Sequence, residues 1–128
     1  MLRTLVKSKI HRATITEANL NYVGSLSIDE ALLEASDIVE YEWVHVWNLN
    51  NGERLETYAI KAPRHSGKIC ANGAAARLLH TGDKVIIASS AQVSPEEIKT
   101  FKPKVVLVDD ENRINTVLDF VESGMLYE

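Results

Sequence analysis

One cysteine, Cys70, stands in the whole chain, so no intrachain disulfide can form. That usage is compatible with a reducing compartment. Cys70 lies in the apolar stretch Ile69-Cys70-Ala71, where it reads as a small buried hydrophobe rather than a nucleophile. Long hydrophobic runs are missing too. None approaches the ~20 residues needed to span a bilayer, and Lys7, Lys9 and Arg12 interrupt the opening segment before an apolar leader could form. A soluble, cytoplasmic protein without a membrane partner is the expectation. Positive charge is in deficit, with 14 basic against 18 acidic side chains and a net charge of −4, which argues against nucleic acid as a partner. His11, His45, His65 and His80 have no compact metal-ligand spacing, so no metal is expected.

What is present is enough apolar residue, 45% of 128, for a single domain with one core and no linker, repeat or low-complexity tract. Residues 2–15 allow an extended segment in which Lys9 and His11, two apart, share a face. Ser27-Ile28-Asp29-Glu30 has the form of a capping box, with Ser27 as N-cap of a short helix whose apolar face is Ile28, Ala31, Leu32 and Ala35. Residues 42–49 and 55–60 read as strands joined through the hairpin signal Asn50-Asn51-Gly52. Residues 72–79 begin with a tight backbone and continue as good helix formers, leaving free amides at their start that suit a carboxylate. Thr81-Gly82-Asp83 turns into a strand over 84–88. Ser94-Pro95-Glu96-Glu97 opens another helix, and 105–108 is a buried-type strand before the turn at Asp110-Glu111-Asn112. About six or seven strands in so short a chain predict a mainly β fold, a small closed barrel with short helices.

Gly24-Ser25 is ordinary turn chemistry taken alone. It is also a pair in which a hydroxyl can attack its own preceding carbonyl, given a bent backbone of the kind glycine permits. With Lys9-Ile10-His11-Arg12, Trp47-Asn48, Gly52-Glu53-Arg54, Glu56-Thr57-Tyr58-Ala59-Ile60 and Asn72-Gly73-Ala74-Ala75-Ala76-Arg77, in this order and spacing, it resembles the bacterial aspartate 1-decarboxylase family over nearly the whole chain.

The resemblance implies a double-psi β-barrel assembled as a homotetramer, with active sites near subunit interfaces. It also implies cleavage of the 1–128 domain at Gly24-Ser25 into residues 1–24 (the β chain) and 25–128 (the α chain). Thr57 would stabilise the oxyanion of that cleavage, and Ser25 would become a covalent pyruvoyl group. This ketone is an electron sink that replaces pyridoxal phosphate, and with it L-aspartate would lose CO2 to give β-alanine for pantothenate and coenzyme A. By the same resemblance Tyr58 is the proton donor, Arg54 the fork for a carboxylate, Lys9 a point charge and His11 a hydrogen-bonding group. Gly73, Ala74 and Ala75 form an amide cradle, Asn72 fixes that loop or contacts the pyruvoyl, and Tyr22 and Trp47 are pocket walls. Asn21 departs from the pattern, since many relatives carry histidine there, and that histidine's part in proton transfer is not carried over. No segment identifies a docking surface for an accessory maturation protein. Other readings fit the basic groups and amides: a noncatalytic oligomeric barrel that binds a small dicarboxylate, or the same pyruvoyl chemistry on another amino acid.

Overall fold

The structure is a computed structural model and describes residues 1–126. In chain order the strands are β1 (Arg3–Thr14), β2 (Glu17–Asn19), β3 (Leu26–Asp29), β4 (Trp43–Asn48), β5 (Arg54–Ala62), β6 (Ile69–Asn72), β7 (Lys84–Val93), β8 (Lys104–Val108) and β9 (Ile114–Leu118). Two short helices, α1 (Glu30–Ser36) and α2 (Pro95–Ile98), and a 3₁₀ helix over Gly73–Arg77 complete it. None of these helices is long and apolar enough to cross a membrane.

Alternation builds the walls. Val44, Val46, Val85 and Ile87 are fully buried with Ile10, Leu26, Ile28, Ile69 and Val106, while Trp43, His45 and Trp47 lie on the opposite face of β4. The sheet order is β2-β6-β3-β5-β4-β7-β1-β8-β9. Because β2 follows β1 after only two residues, the edge of this sheet is tied back to β1, and the strands wrap into a ring with β8 and β9 outside the closure. Parallel pairings β1/β8, β2/β6 and β3/β5 are interleaved with antiparallel ones, the mixed pattern of the expected double-psi barrel. The hairpin at Asn50-Asn51-Gly52 is as expected, with Gly52 at φ 77°.

The structure differs from the sequence expectations in local detail. Among the described residues nine strands form rather than about six or seven. β2 is too short to show a period, and β9 is exposed along nearly all its length, so neither has a hydrophobic pattern. β7 runs on past residue 88 because its ladder with β1 continues as far as Arg3 opposite Val93, through the polar residues Ser89, Ser90 and Gln92. Ser27 is not a helix cap: it lies within β3, and Asp29 caps α1 by accepting from the Ala31 amide. The Asp29 carboxylate also accepts from the amides of His65 and Gly67, which the shorter serine could not reach. The helix expected to open at Ser94-Pro95 does form as α2, and a capping box between Ser94 and Glu97 closes its start.

Inside the wall, Glu42 joins β1 and β7 to the segment before β4. It accepts from Lys7 Nζ at 2.7 Å, from the Val39 amide at 3.1 Å and from the Ser89 hydroxyl. Burial alone would raise its carboxyl, but the hydrogen bonds from Lys7, Ser89 and Val39, with the Lys7 charge, hold it below its ordinary value. A depressed carboxylate stabilises the fold above its unfolded value and loses that contribution as pH falls through the folded one. Stability should therefore fall as pH drops below the ordinary glutamate value of about 4.3. Glu42→Gln should flatten that dependence and cost about 1–2 kcal/mol at neutral pH, measured by denaturant unfolding across pH.

Candidate active site

The loop from Leu20 to Ser25 joins β2 to β3, strands that flank β6 on either side, so it must cross the end of β6. Register fixes what it meets there. Leu26 lies opposite Ala59 in the parallel pair and opposite Ala71 in the antiparallel pair, so one step back Ser25 stands beside Tyr58 and Asn72. The Asn72 amide donates to the Ser25 carbonyl at 2.8 Å, continuing the ladder by one bond. In this grip the backbone is left-handed at successive residues, φ 40° at Gly24 and 80° at Ser25. For serine that conformation is costly, and it is held here by its surroundings.

Ser25 is buried, 3% exposed, and its hydroxyl has no hydrogen-bond partner among the described residues. A buried hydroxyl normally finds one, so this oxygen is left with its bonding capacity unspent. Ser25 lies on the wall of a cavity of about 370 Å³ with Gly24, Leu55, Glu56, Thr57, Tyr58, Asn72, Ala74, Ala75 and Leu78. The Tyr58 hydroxyl comes close enough to Gly24 that a methyl group there would sit 2.7 Å from it.

Below the loop, the start of the 3₁₀ helix is in contact with its backbone at Tyr22 and Gly24. Gly73 has φ 60°, and a Cβ on it would lie 3.0 Å from the Tyr22 carbonyl oxygen and 3.2 Å from the Gly24 nitrogen. These are backbone atoms and cannot swing away. Gly73→Ala should cost about 1–3 kcal/mol of stability from the left-handed strain and the close approach, measured by unfolding. It should also displace the Gly24-Ser25 bond. The element itself is shorter than the expected 72–79 helix, because its bonds tighten to the 3₁₀ form after Asn72, and no side chain caps its first amides.

Asn72 is buried and oriented from both ends. Its amide nitrogen donates to the Ser27 hydroxyl at 2.9 Å, and its amide oxygen accepts from the Cys70 thiol at 3.1 Å. Burial pushes the Cys70 thiol up, so it stays a protonated donor. Cys70 thus has the inert, buried character expected of it, with a hydrogen bond to Asn72 that no local pattern announces.

The remaining residues lie outside this cavity. Trp47 and Arg54 face each other across β4 and β5 and line an adjoining cavity of about 340 Å³ with His45, sharing Leu55 and Glu56 with the first. The Arg54 guanidinium sits 5.3 Å from the Trp47 ring centre. Lys9 and His11 line a third cavity, against Val105, Leu107, Leu118, Val121, Met125 and Leu126. Burial first, then the charges of Lys9 and Arg12, lower the pKa of His11, so at neutral pH it is an uncharged hydrogen-bonding group. Tyr22 is on the outside of the loop, its hydroxyl turned to Glu17. Among the described residues no three of His, Cys, Asp or Glu are grouped to hold a metal.

Gly24, Ser25, Thr57, Tyr58, Asn72, Ala74 and Ala75 therefore meet in one place within a single chain. A sequence model of the family described as aspartate decarboxylase matches residues 1–115. The chain is 57% identical to an aspartate 1-decarboxylase of Lactiplantibacillus plantarum over 128 residues, all of this chain and 98% of the relative. It is 63% identical over 114 residues to one from Caldicellulosiruptor saccharolyticus, 89% of each chain, and 57% identical over 124 residues to one from Campylobacter jejuni, 97% of this chain and 98% of the relative.

Proposed function

The chain belongs to the aspartate decarboxylase family, and from that premise we propose that it converts L-aspartate to β-alanine and CO2 with a pyruvoyl group made from its own Ser25. The observation that carries the proposal is the Ser25 hydroxyl, buried and unpartnered beside a left-handed Gly24-Ser25 backbone. Such an oxygen has no hydrogen bond to give up before attacking, and the strain in the backbone is relieved when the peptide bond breaks.

In self-processing, the Ser25 oxygen bonds to the Gly24 carbonyl carbon, the carbon–nitrogen bond breaks, and the hydroxyl proton passes to the freed nitrogen. The ester so formed is then eliminated, the α-proton of residue 25 being lost and residues 1–24 leaving with a carboxylate at Gly24. Water adds to the resulting enamine, in its imine form, and displaces ammonia to leave the ketone on residue 25. Thr57, on the wall of the same cavity, is the donor for the oxyanion of the first step. The orphaned oxygen and the room around it fit the group that would be made there. Once formed, the pyruvoyl group supplies the carbonyl that takes up the electrons of the departing carboxylate.

The chain's own residues do the rest. Tyr58, with its hydroxyl beside Gly24, returns a proton to the former α-carbon. Ala74, Ala75 and Gly73 offer amides to the substrate, and Asn72 is held in one orientation by Ser27 and Cys70. Arg54 binds a carboxylate in a protein whose net negative charge would otherwise repel a substrate with two of them. Lys9 and His11 line a different cavity of the chain, an arrangement in keeping with a homotetramer in which a neighbouring copy completes the pocket. The product would feed pantothenate and coenzyme A synthesis in the cytoplasm.

The test is to incubate the full-length protein until no further cleavage occurs, add aspartate and measure CO2 and β-alanine together. Equimolar release is expected. Aspartate binding without release, by protein that remains uncut, would instead identify a dicarboxylate-binding barrel, and release from another amino acid would move the substrate.

A further inference from the structure

Glu17 has no part in the chemistry above, yet it is the residue to which the amino side of the Gly24-Ser25 loop is fastened. The Tyr22 hydroxyl donates to Glu17 Oε2 at 2.7 Å, and Lys68 Nζ approaches the other carboxylate oxygen at 3.4 Å. Glu17 sits in β2 opposite Cys70 of β6, and Lys68 precedes β6, so the carboxylate is anchored to the strand the loop has to cross.

Among the described residues, the amino side of the loop is otherwise gripped from beneath and behind. The Tyr22 amide donates to the Asn19 carbonyl at 3.3 Å, and the Asn21 amide to the Asn19 side chain at 2.9 Å, which folds the turn on itself. Gly73 packs against the Tyr22 carbonyl and the Gly24 nitrogen. Between Tyr22 and the left-handed Gly24 lies only Val23, 92% exposed and without packing. Tyr22 is therefore the last residue before the strained bond whose own side chain is held, and Glu17 is what holds it.

We infer that Glu17 is a positioning residue for self-cleavage: through the Tyr22 hydroxyl it keeps the segment before Gly24 in the bent conformation that presents the Gly24 carbonyl to the Ser25 oxygen. The inference rests on the pyruvoyl reading. Tyr22, expected as a pocket wall but placed on the outside of the loop, gains a role in it. The hydrogen bond from Tyr22, then that of Lys68 with its charge, outweigh burial and keep Glu17 below its ordinary value, so the acceptor is an ionised carboxylate over the neutral range. Loss of one such exposed bond weakens a preference rather than abolishing it.

The test compares cleavage rates of freshly made full-length chains, followed by intact mass, for the parent, Glu17→Ala, Glu17→Gln, Tyr22→Phe and Glu17→Ala with Tyr22→Phe. Glu17→Ala should slow cleavage about 3- to 10-fold, as expected for one net hydrogen bond. Glu17→Gln, which retains an acceptor oxygen, should restore most of the rate. The double variant should be no slower than the slower single one, because both remove the same bond. Melting temperatures of the same substitutions placed on an uncleavable Ser25→Ala chain separate positioning from stability. Equal rates for parent and Glu17→Ala, or a slowing matched by a general loss of stability, would overturn the inference while leaving self-cleavage intact. A parent chain that never cleaves would overturn both.

Discussion

Ser25→Ala is expected to leave one uncut chain of 128 residues with no decarboxylase activity. The effect is the largest of any single substitution, because it removes the attacking oxygen, without which the peptide bond is not cut and the ketone is never made. Residual catalysis by neighbouring groups has nothing to act through. The fold should survive. The hydroxyl is buried without a partner, so deleting it removes a desolvated polar group and no hydrogen bond. Stability should be unchanged or higher by up to about 1 kcal/mol. Intact mass, a CO2 assay and thermal unfolding on the same sample check the three statements. An uncut but active variant would remove Ser25 from the chemistry, and an unfolded one would mean that the oxygen has a structural role.

Tyr58→Phe should separate the two reactions. The ring stays in place, with its centre 6.5 Å from that of Tyr41 and its edge towards Gly24, so the cavity keeps its shape. Cleavage needs the Ser25 oxygen and the Gly24 carbonyl and should go to completion. Decarboxylation needs a proton delivered to carbon, and loss of a positioned general acid lowers turnover by about 10²- to 10⁴-fold. The expected sample is two chains, fully processed, with kcat reduced far more than KM is raised. A variant that stays uncut would assign the hydroxyl to processing, consistent with its approach to Gly24. Full activity would give the proton transfer to another group.

The parts of the fold that were legible are those with local chemistry of their own. Val44 and Val46 alternating with Trp43, His45 and Trp47 announce a strand, and Asn50-Asn51-Gly52 announces its hairpin. Ser94 with Pro95 and Glu97 announces a helix start. β2 and β9 were hidden because strands of three and five residues with no buried face have no period to read. At Ser27 two correct signals competed. A serine three residues before Glu30 satisfies a capping box, but the pairing of β3 with β5 and β6 extends that segment, and Asp29 reaches the amides on both sides of it.

The site divides in the same way. Gly24-Ser25, Thr57-Tyr58 and the Asn72 loop are contiguous motifs, and the pairing of β3 with β5 and β6 brings them to one cavity. Glu17, Ser27 and Cys70 left no comparable mark. Each acts by a side-chain hydrogen bond, Glu17 with Tyr22 and the other two with Asn72, and no spacing of residue types encodes where those partners fall. Lys9 and His11 share a face as their spacing requires, but a single chain does not bring them to Ser25.

The central claim is that Ser25 is a precursor rather than a catalytic side chain. Intact-protein mass spectrometry of the incubated protein tests it most directly. The account predicts two species, residues 1–24 ending in a free carboxylate at Gly24, and residues 25–128 lighter by one ammonia than the chain would be with an amino-terminal serine. A single full-length mass that persists on incubation, in a sample that nevertheless releases CO2 from aspartate, would contradict it.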